Sequence, residues 1–405
     1  MRKVYIVSGK RSPIGKFLGS LSSVKPGDML AQVMRPVMAD INLNPAEIDE
    51  IIIGHQHSAG QGPSIARRAQ LEADIPVEVP ATTINMQCGS GLKSIIFGYY
   101  SIQAGSDVVL CGGVENMSQV PFILTNKVRK GVKMGNDSVK VEDSLYCDGL
   151  IDQFNHYLMG MTAENVAELD GITREEQDRF AEVSQARACA AIESGRFDDE
   201  IVPIKYKDRK GNELVCARDE SHTPGTTYET LSKLRTAFKK DGTVTAGNAS
   251  QLNDGAAAII LASEEACKKN GWKPIAELVS QATVGINPAI MGLGPVNAII
   301  KALDNAELTM KDVDLMELNE AFAAQSVACI KRLAEKYEME FEDITIKTNV
   351  NGGAIALGHP VAASGTRILV SLLSEMKKRD LTYGVASLCV GGGMGTAVVV
   401  KRCEE

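Results

Sequence analysis

Short apolar runs alternate with amphipathic helical patterns in this 405-residue chain, and this alternation limits the fold more than any other feature. In the first part of the chain, strand-like runs lie at residues 4–7, 51–53, 108–111 and 257–261, and helical patterns lie at residues 29–41 and 90–104. Such alternation is typical of an α/β fold in which helices cover both faces of the sheets. The sequence therefore predicts an α/β fold class.

A second series of the same kind begins near residue 274. Its strand-like runs are residues 275–279, 315–318, 344–347, 384–388 and 396–400, and its helical patterns are residues 295–303 and 321–338. The chain is long enough to form two cores. We therefore expect two α/β halves, residues 1–270 and residues 271–405.

A more polar segment, residues 119–247, interrupts the first half. It is rich in Lys, Asp, Gly and Thr, and strand-like runs are scarce in it. Long insertions usually lie beside a functional site, and a structural or oligomeric role is the alternative. We expect this segment to form an inserted loop domain.

The charge balance disfavours some classes of partner. The chain has 43 Lys and Arg residues against 51 Asp and Glu residues, a net charge of −8, which disfavours non-specific binding to nucleic acid or anionic membranes. The sequence shows no apolar leader and no apolar run of about 18 residues. We expect a cytoplasmic protein with neither a nucleic-acid nor a membrane partner, in which the nine cysteines are reduced thiols.

Three glycine-containing segments carry the residue types of acyl-transfer chemistry. Cys88 lies in NMQCGSG, His359 in GAIALGHP and Cys389 in CVGGG. A thiolate is a strong nucleophile and a good leaving group, a nearby imidazole can deprotonate the thiol, and glycine lets backbone N–H groups approach a developing oxyanion. One such segment alone would more often be a turn or a close packing contact. Three in one chain favour a catalytic site.

The residues after Cys88 form the pattern of a helix start, GSGLKSII at residues 89–96. The thiol would then lie at the positive end of a helix dipole, which favours the thiolate. We therefore interpret Cys88 as the nucleophile.

Further motifs extend this pattern along the chain. They are GGVENMS at residues 112–118, NASQLNDG at residues 248–255 and ELNEAF at residues 317–322. Together with the three segments above, they resemble the thiolases, the family of acetyl-CoA acetyltransferases and 3-ketoacyl-CoA thiolases. The resemblance spans nearly the whole chain and implies the thiolase fold, two duplicated βαβαβαββ halves in a five-layered α/β/α/β/α arrangement with a loop domain inserted in the first half.

The same resemblance implies roles for the catalytic residues. Cys88 would take the acyl group as a thioester, His359 would assist its deprotonation, and Cys389 would handle the proton on the α-carbon. Asn319 would hold a water that forms one oxyanion hole together with His359. The backbone N–H groups of Cys88 and Gly391 would form a second oxyanion hole.

In thiolases the CoA contacts come largely from the loop domain and the segment after it. By resemblance, Phe238, Ala246 and Ser250 would lie beside the pantetheine or the adenine, and Phe322 would lie near the acyl pocket. Met159 completes the expected substrate-binding set.

The resemblance implies neither a metal nor an organic cofactor, since the CoA thioesters are themselves the substrates. His55 and His57 form a His-x-His pair, but no third or fourth ligand of a zinc site is apparent. The expected partners are acetyl-CoA, acetoacetyl-CoA and CoA. Thiolases are usually tetramers or dimers, so we expect a homotetramer, a dimer of dimers.

The chain departs from the family pattern at a few positions. Leu158 stands where short-chain biosynthetic members often carry a histidine, which weakens the expectation about acyl selectivity. His156, two residues earlier, could supply the missing polar contact, although an exposed loop position is the plainer interpretation. Residues 219–225 lack an arginine that is common in this region, and Gln251 and Ala362 replace glycines.

The reaction implied by the resemblance is acetyl-CoA C-acetyl transfer, in which two acetyl-CoA exchange with acetoacetyl-CoA and CoA by a ping-pong mechanism. A 3-ketoacyl-CoA thiolase of broader chain length is the first alternative. A non-catalytic acyl-CoA-binding protein with a thiolase fold is a distant one. A decarboxylating ketosynthase is disfavoured, because such an enzyme would not be expected to have the cysteine that Cys389 provides in the CVGGG motif here.

Overall fold

The computed structural model describes residues 2–132, 139–208 and 210–404. The strands are β1 Val4–Arg11, β2 Gly15–Lys16, β3 Glu50–Gly54, β4 Ala81–Ile84, β5 Val108–Asn116, β6 Phe122–Leu124, β7 Val141–Asp143, β8 Ile204–Lys207, β9 Glu213–Cys216, β10 Asn253–Ser263, β11 Ala276–Gly285, β12 Leu315–Leu318, β13 Tyr383–Val390 and β14 Met394–Arg402. The helices are α1 Pro26–Ala39, α2 Ile65–Glu72, α3 Ser90–Ala104, α4 Gly160–Asp170, α5 Arg174–Glu193, α6 Tyr228–Leu231, α7 Glu264–Asn270, α8 Gly294–Asn305, α9 Ala323–Tyr337, α10 Phe341–Thr345, α11 Ala354–Leu357 and α12 Val361–Arg379.

Two sets of strands repeat one pairing pattern. In the first set, β1 pairs with β10 and β10 with β5 antiparallel, and β5 pairs with β3 parallel. In the second set, β11 pairs with β14 and β14 with β13 antiparallel, and β13 pairs with β12 parallel. Antiparallel pairing of β1 with β11 joins the two sets into one ten-stranded sheet, a link that the sequence did not reveal.

Helices α3 and α12 lie between the two sets of strands. Ile95 of α3 and Leu369 of α12 share one core with Ile259 of β10 and Leu388 of β13. A second core packs α1 and α2 on the outer face of the first set, and a third packs α8 and α9 on the outer face of the second set. Five layers result, which confirms the predicted α/β thiolase fold class.

One predicted strand is wrong. Residues 344–347 lie at the end of helix α10 and in the turn after it, and not in a strand. The alternation of Ile344 and Ile346 suggested a half-buried strand, but only Ile344 is buried, and Ile346 is 74% exposed. A segment of four residues with two apolar positions is too short to distinguish the period of a helix from that of a strand.

The segment 119–247 contains more helix than its polar composition indicated. Two-stranded ribbons β6–β7 and β8–β9 accompany helices α4 and α5, and α5 alone has 20 residues. Residues 133–138 and 209 of this segment lie outside the described residues. Across the described ranges, no helix combines the length and apolar character that a membrane span requires.

Candidate active site

Cys88 lies in a tight turn between strand β4 and helix α3. Gln87, the residue before it, has a φ of 48°, in the left-handed region that non-glycine residues rarely adopt. The Ser90 hydroxyl holds this turn by accepting a hydrogen bond from the Met86 N–H (2.8 Å) and donating one to the Gln87 carbonyl (2.7 Å). The Asn85 side-chain oxygen accepts a bond from the Gln87 N–H at 2.9 Å. The thiol is therefore presented by a turn of fixed shape.

The thiol of Cys88 is neutral at rest. Burial raises the pKa of Cys88 to about 11, and backbone N–H groups of Gly391 and of Cys88 itself offset part of this rise. The start of helix α3 was expected to favour the thiolate, but in the resting site desolvation outweighs the stabilisation of the thiolate by these N–H groups. The two N–H groups that stabilise the thiolate are the pair expected to form an oxyanion hole.

Gly391 lies directly against the side chain of Gln87. It follows β13, and a Cβ on this residue would overlap the Gln87 side-chain oxygen. The two turns also meet at Gly89, where a Cβ would lie 2.8 Å from Val390 Cγ2. This close approach brings the Gly391 N–H to the thiol of Cys88.

His359 precedes helix α12 and is 7% exposed. Its backbone N–H donates to the Asn253 side-chain oxygen at 3.0 Å, and its Nδ1 lies 2.6 Å from the Ser364 hydroxyl oxygen. The same hydroxyl lies 3.3 Å from the Pro360 carbonyl, which can only accept. The hydroxyl can donate to Pro360 while it accepts from Nδ1–H, and this tautomer presents Nε2 as a proton acceptor.

Burial, followed by the positive charge of Arg367, lowers the pKa of His359 to about 3. The imidazole is therefore neutral at rest, as a general base must be. The resting pair consists of a neutral thiol and a neutral imidazole.

We expect Ser364→Ala to lower kcat about tenfold, because one neutral hydrogen bond that fixes the His359 tautomer is lost. The measurement is steady-state acetoacetyl-CoA cleavage. Ser371→Ala is a matched control, since Ser371 is also buried on α12 and bonds Glu200 instead. Equal activity of the two variants would contradict the role of Ser364.

Cys389 and Asn319 lie deeper than Cys88. Cys389 is fully buried at the end of β13, and its pKa is raised well above the ordinary value by burial and by the nearby Cys88 thiol. Asn319 follows β12 and is 1% exposed, and neither its amide oxygen nor its amide nitrogen bonds another described residue. A buried amide in this state needs partners from a water or a ligand.

A cavity of about 350 Å³ opens onto the thiol. Two of the four predicted catalytic residues line it, Cys88 and His359, together with the predicted oxyanion-hole residue Gly391. All five predicted substrate-binding residues line it as well: Met159, Phe238, Ala246, Ser250 and Phe322. Cys389 and Asn319 are not among the lining residues.

The aromatic wall of this cavity is tightly packed. Phe238 and Phe322 stack edge to face, with ring centroids 6.1 Å apart and an interplanar angle of 84°. A Cβ at Gly160 would overlap the Phe238 ring, so the start of helix α4 lies directly against it. This contact fixes the shape of the wall.

Sequence reasoning did not assign Gln56 and His57, the two buried polar residues of the lining besides His359, to the site. Both line the cavity, although the His-x-His pattern had been considered only as a weak metal motif. Among the described residues there is no group of three or more His, Cys, Asp and Glu side chains arranged to hold a metal. His156 is exposed and does not line the cavity, whereas Leu158 does.

The resting protonation state predicts the reactivity of Cys88. Because its pKa is raised to about 11, the alkylation rate by iodoacetamide should rise about tenfold per pH unit from pH 7 to about pH 10. Peptide mass spectrometry of timed samples measures this rate, with unfolded protein as the control for an ordinary thiol. A plateau below pH 8 would instead indicate a resting thiolate–imidazolium pair.

Comparisons with known proteins agree across the whole chain. Residues 4–265 match the family profile described as the thiolase N-terminal domain, and residues 272–402 match the thiolase C-terminal domain. An acetyl-CoA acetyltransferase of Pseudomonas aeruginosa is 48% identical over 403 residues, covering 99% of this chain and 100% of that protein.

Solved structures of thiolases also align with this chain over its whole length. The crystal structure of the Bacillus anthracis acetyl-CoA acetyltransferase aligns with a TM-score of 0.94 at 43% identity, covering 100% of this chain and 99% of that one. Human mitochondrial 3-ketoacyl-CoA thiolase in complex with CoA aligns with a TM-score of 0.92 at 44% identity, covering 100% of this chain and 98% of that one.

Proposed function

The chain belongs to the thiolase family and is an acyltransferase, and we propose that it is an acetyl-CoA C-acetyltransferase that converts two acetyl-CoA to acetoacetyl-CoA and CoA. The reaction is reversible, and concentrations set its direction. One observation carries the residue assignment: the Cys88 thiol, the neutral His359 imidazole and the Gly391 N–H meet at one cavity.

The first half-reaction acylates Cys88. The thiol passes its proton to His359 Nε2 as the sulfur attacks the carbonyl carbon of acetyl-CoA. The backbone N–H groups of Cys88 and Gly391 donate to the oxyanion that forms. When the intermediate collapses, the carbon–sulfur bond to CoA breaks, and the CoA thiolate takes a proton from Cys389.

The second half-reaction forms the new carbon–carbon bond. The Cys389 thiolate removes a proton from the α-carbon of a second acetyl-CoA, and protonated His359, with a water held by Asn319, stabilises the enolate. The enolate attacks the acetyl group and expels the Cys88 thiolate, which takes its proton back from His359. All three side chains then return to their resting states.

The low pKa of His359 fits this sequence. A buried imidazolium is unfavourable alone and becomes acceptable when a thiolate or an enolate lies beside it. His359 is therefore charged only while a negative group is present in the site.

Substrate binding requires no metal and no further cofactor in this proposal, since CoA is part of the substrate. Ser250, Ala246 and Phe238 bind the pantetheine or adenine part, and Met159 and Phe322 contact the acyl group. Their position around one cavity supports this assignment.

Cleavage of acetoacetyl-CoA by CoA tests the proposed activity. We expect rapid release of acetyl-CoA by the wild-type enzyme. An absence of cleavage with saturating CoA would reject the function.

A 3-ketoacyl-CoA thiolase of broader chain length is the second candidate. Leu158 favours it, because this apolar side chain lines the cavity where short-chain members often have a histidine. Comparing kcat/KM for acetoacetyl-CoA, 3-oxohexanoyl-CoA and longer homologues decides between the two. A preference for acetoacetyl-CoA supports the first candidate, and equal or faster cleavage of longer chains supports the second.

We further propose a homotetramer in the cytoplasm, with residues 1–270 and 271–405 as its two domains and residues 119–247 as a loop domain within the first. Exposed apolar side chains on the β6–β7 ribbon support assembly: Phe122, Leu124 and Val141 are 69%, 56% and 65% exposed. All nine cysteines are free, as is usual in a reducing compartment. Sedimentation velocity measures the assembly.

A further inference from the structure

Two polar side chains that line the cavity at Cys88 are buried and are not used by the proposed mechanism, whereas the other unused ones, Gln87, Tyr146 and Gln251, are partly or fully exposed. His57 is 5% exposed and Gln56 is 7% exposed, and both line the cavity. The two ring nitrogens of His57 have no hydrogen-bond partner among the described residues, and the side-chain oxygen of Gln56 has none either. We call these two residues the polar patch.

The rest of the lining makes the polar patch unusual. Most lining residues are apolar, including Leu150, Leu158 and Met291, and among the described residues no lysine, arginine or carboxylate lines the cavity. A polar group that is buried without a partner carries an uncompensated cost of desolvation. A ligand that supplies the missing partner recovers this cost, so the patch is a candidate subsite.

The polar patch is held rigidly. The backbone N–H groups of Gln56 and His57 donate to the two carboxylate oxygens of Glu115 at 3.1 and 3.2 Å. The Gln56 side-chain nitrogen donates to the Asp148 carbonyl at 3.1 Å. At Gly149 a Cβ would lie 2.6 Å from His57 Cε1, so the histidine ring packs directly on that backbone.

The surroundings select an uncharged partner. Burial lowers the pKa of His57, so the ring is neutral at neutral pH and offers one donor and one acceptor. The Glu115 carboxylate behind the patch would repel a second carboxylate. A hydroxyl group can donate to the unprotonated ring nitrogen or accept from the ring N–H, whereas a carboxylate can only accept.

The reacting oxygens of the proposed substrates already have assigned partners. The thioester and 3-oxo oxygens use the N–H groups of Cys88 and Gly391, or the pair of Asn319 and His359. The polar patch is therefore available for a further oxygen on the acyl chain. This step rests on the proposed function.

We propose that His57 and Gln56 form an acyl subsite for an uncharged oxygen, so that the enzyme accepts 3-oxoacyl-CoA substrates whose acyl chain carries a hydroxyl group. The exposed His156 contributes nothing to this subsite.

The test compares thiolysis of 3-oxohexanoyl-CoA with that of its 5-hydroxy and 6-hydroxy derivatives and of 3-oxohexanedioyl-CoA, which ends in a carboxylate. We expect wild-type kcat/KM to be about tenfold higher for at least one hydroxylated chain than for 3-oxohexanoyl-CoA. His57→Leu should abolish this preference, and His57→Asn, which keeps a donor and an acceptor, should retain part of it. His156→Asn is the matched control, because asparagine tolerates the left-handed backbone of residue 156 (φ 57°).

The remaining outcomes count against the proposal. A wild-type enzyme that cleaves acetoacetyl-CoA but does not prefer a hydroxylated chain, or that prefers the carboxylate, rejects the subsite and leaves the proposed function intact. An unchanged preference in His57→Leu also rejects it. A wild-type enzyme that cleaves none of these thioesters rejects the proposed function itself.

Discussion

Replacing Cys88 with alanine should reduce acetoacetyl-CoA cleavage at least about 10,000-fold, because the variant has no nucleophile to carry the acetyl group. The fold should survive, since Cys88 is only half-buried and alanine fits the turn. Steady-state kinetics and a thermal melt measure the two effects separately.

Cys189→Ala is the matched control for this variant. Cys189 is also half-buried, but it lies on helix α5 outside the cavity, so its loss should leave kcat within about twofold of wild type. If Cys88→Ala kept a tenth of wild-type activity, covalent catalysis at this residue would be ruled out.

Replacing Asn319 with alanine should lower kcat about 100- to 1,000-fold, the usual effect of losing one oxyanion-hole donor. Both amide atoms of Asn319 lack a described partner, so alanine should break no hydrogen bond of this side chain within the described structure. We therefore expect a melting temperature close to that of wild type, with the loss confined to catalysis. Kinetics in both directions and calorimetry give these values.

Asn305→Ala controls for the loss of an asparagine at an exposed position. Asn305 ends helix α8, where its side chain donates to the Gln281 carbonyl at 3.2 Å, and its loss should not change kcat. A kcat of Asn319→Ala within a few-fold of wild type would show that its amide holds no catalytic water.

The long regular elements could be predicted because their apolar residues follow one clear period. Helix α3 was expected at residues 90–104 and is observed at Ser90–Ala104. Its buried face includes Leu92, Ile95 and Ile96, which give the helical spacing directly in the sequence. The strands of the sheet carry β-branched apolar runs that are similarly clear.

Helix α5 could not be found by this criterion because its buried face is small and polar. Gln177, Ser184 and Gln185 are buried on it, so the segment appears polar in sequence. The signal that was overlooked is the capping box of Thr173 and Glu176 at its start. The strand predicted at residues 344–347 is wrong for a different reason. Two alternating isoleucines suggested a strand, but Ile346 is exposed to solvent.

Cys88, His359 and Cys389 could be proposed from the sequence because each lies in a distinctive glycine-containing motif, whereas Asn319 in ELNEAF was proposed from the family resemblance. The polar patch was missed because Gln56 and His57 reach the cavity only after β3 and β4 pair side by side. The protonation state of Cys88 in the resting site could not be predicted from the sequence either. Position at a helix start favours a thiolate, yet burial of the Cys88 thiol outweighs it, and burial can be known only from the fold.

The most direct test of the account is to trap the acyl-enzyme. Wild-type protein is incubated with acetyl-CoA, quenched in acid and digested, and the peptides are analysed by mass spectrometry. We predict one added acetyl group on the peptide that contains Cys88, removed by a chase with CoA and absent from Cys88→Ala. An unmodified Cys88 peptide, or acetylation of another cysteine in its place, would contradict acetyl transfer through Cys88.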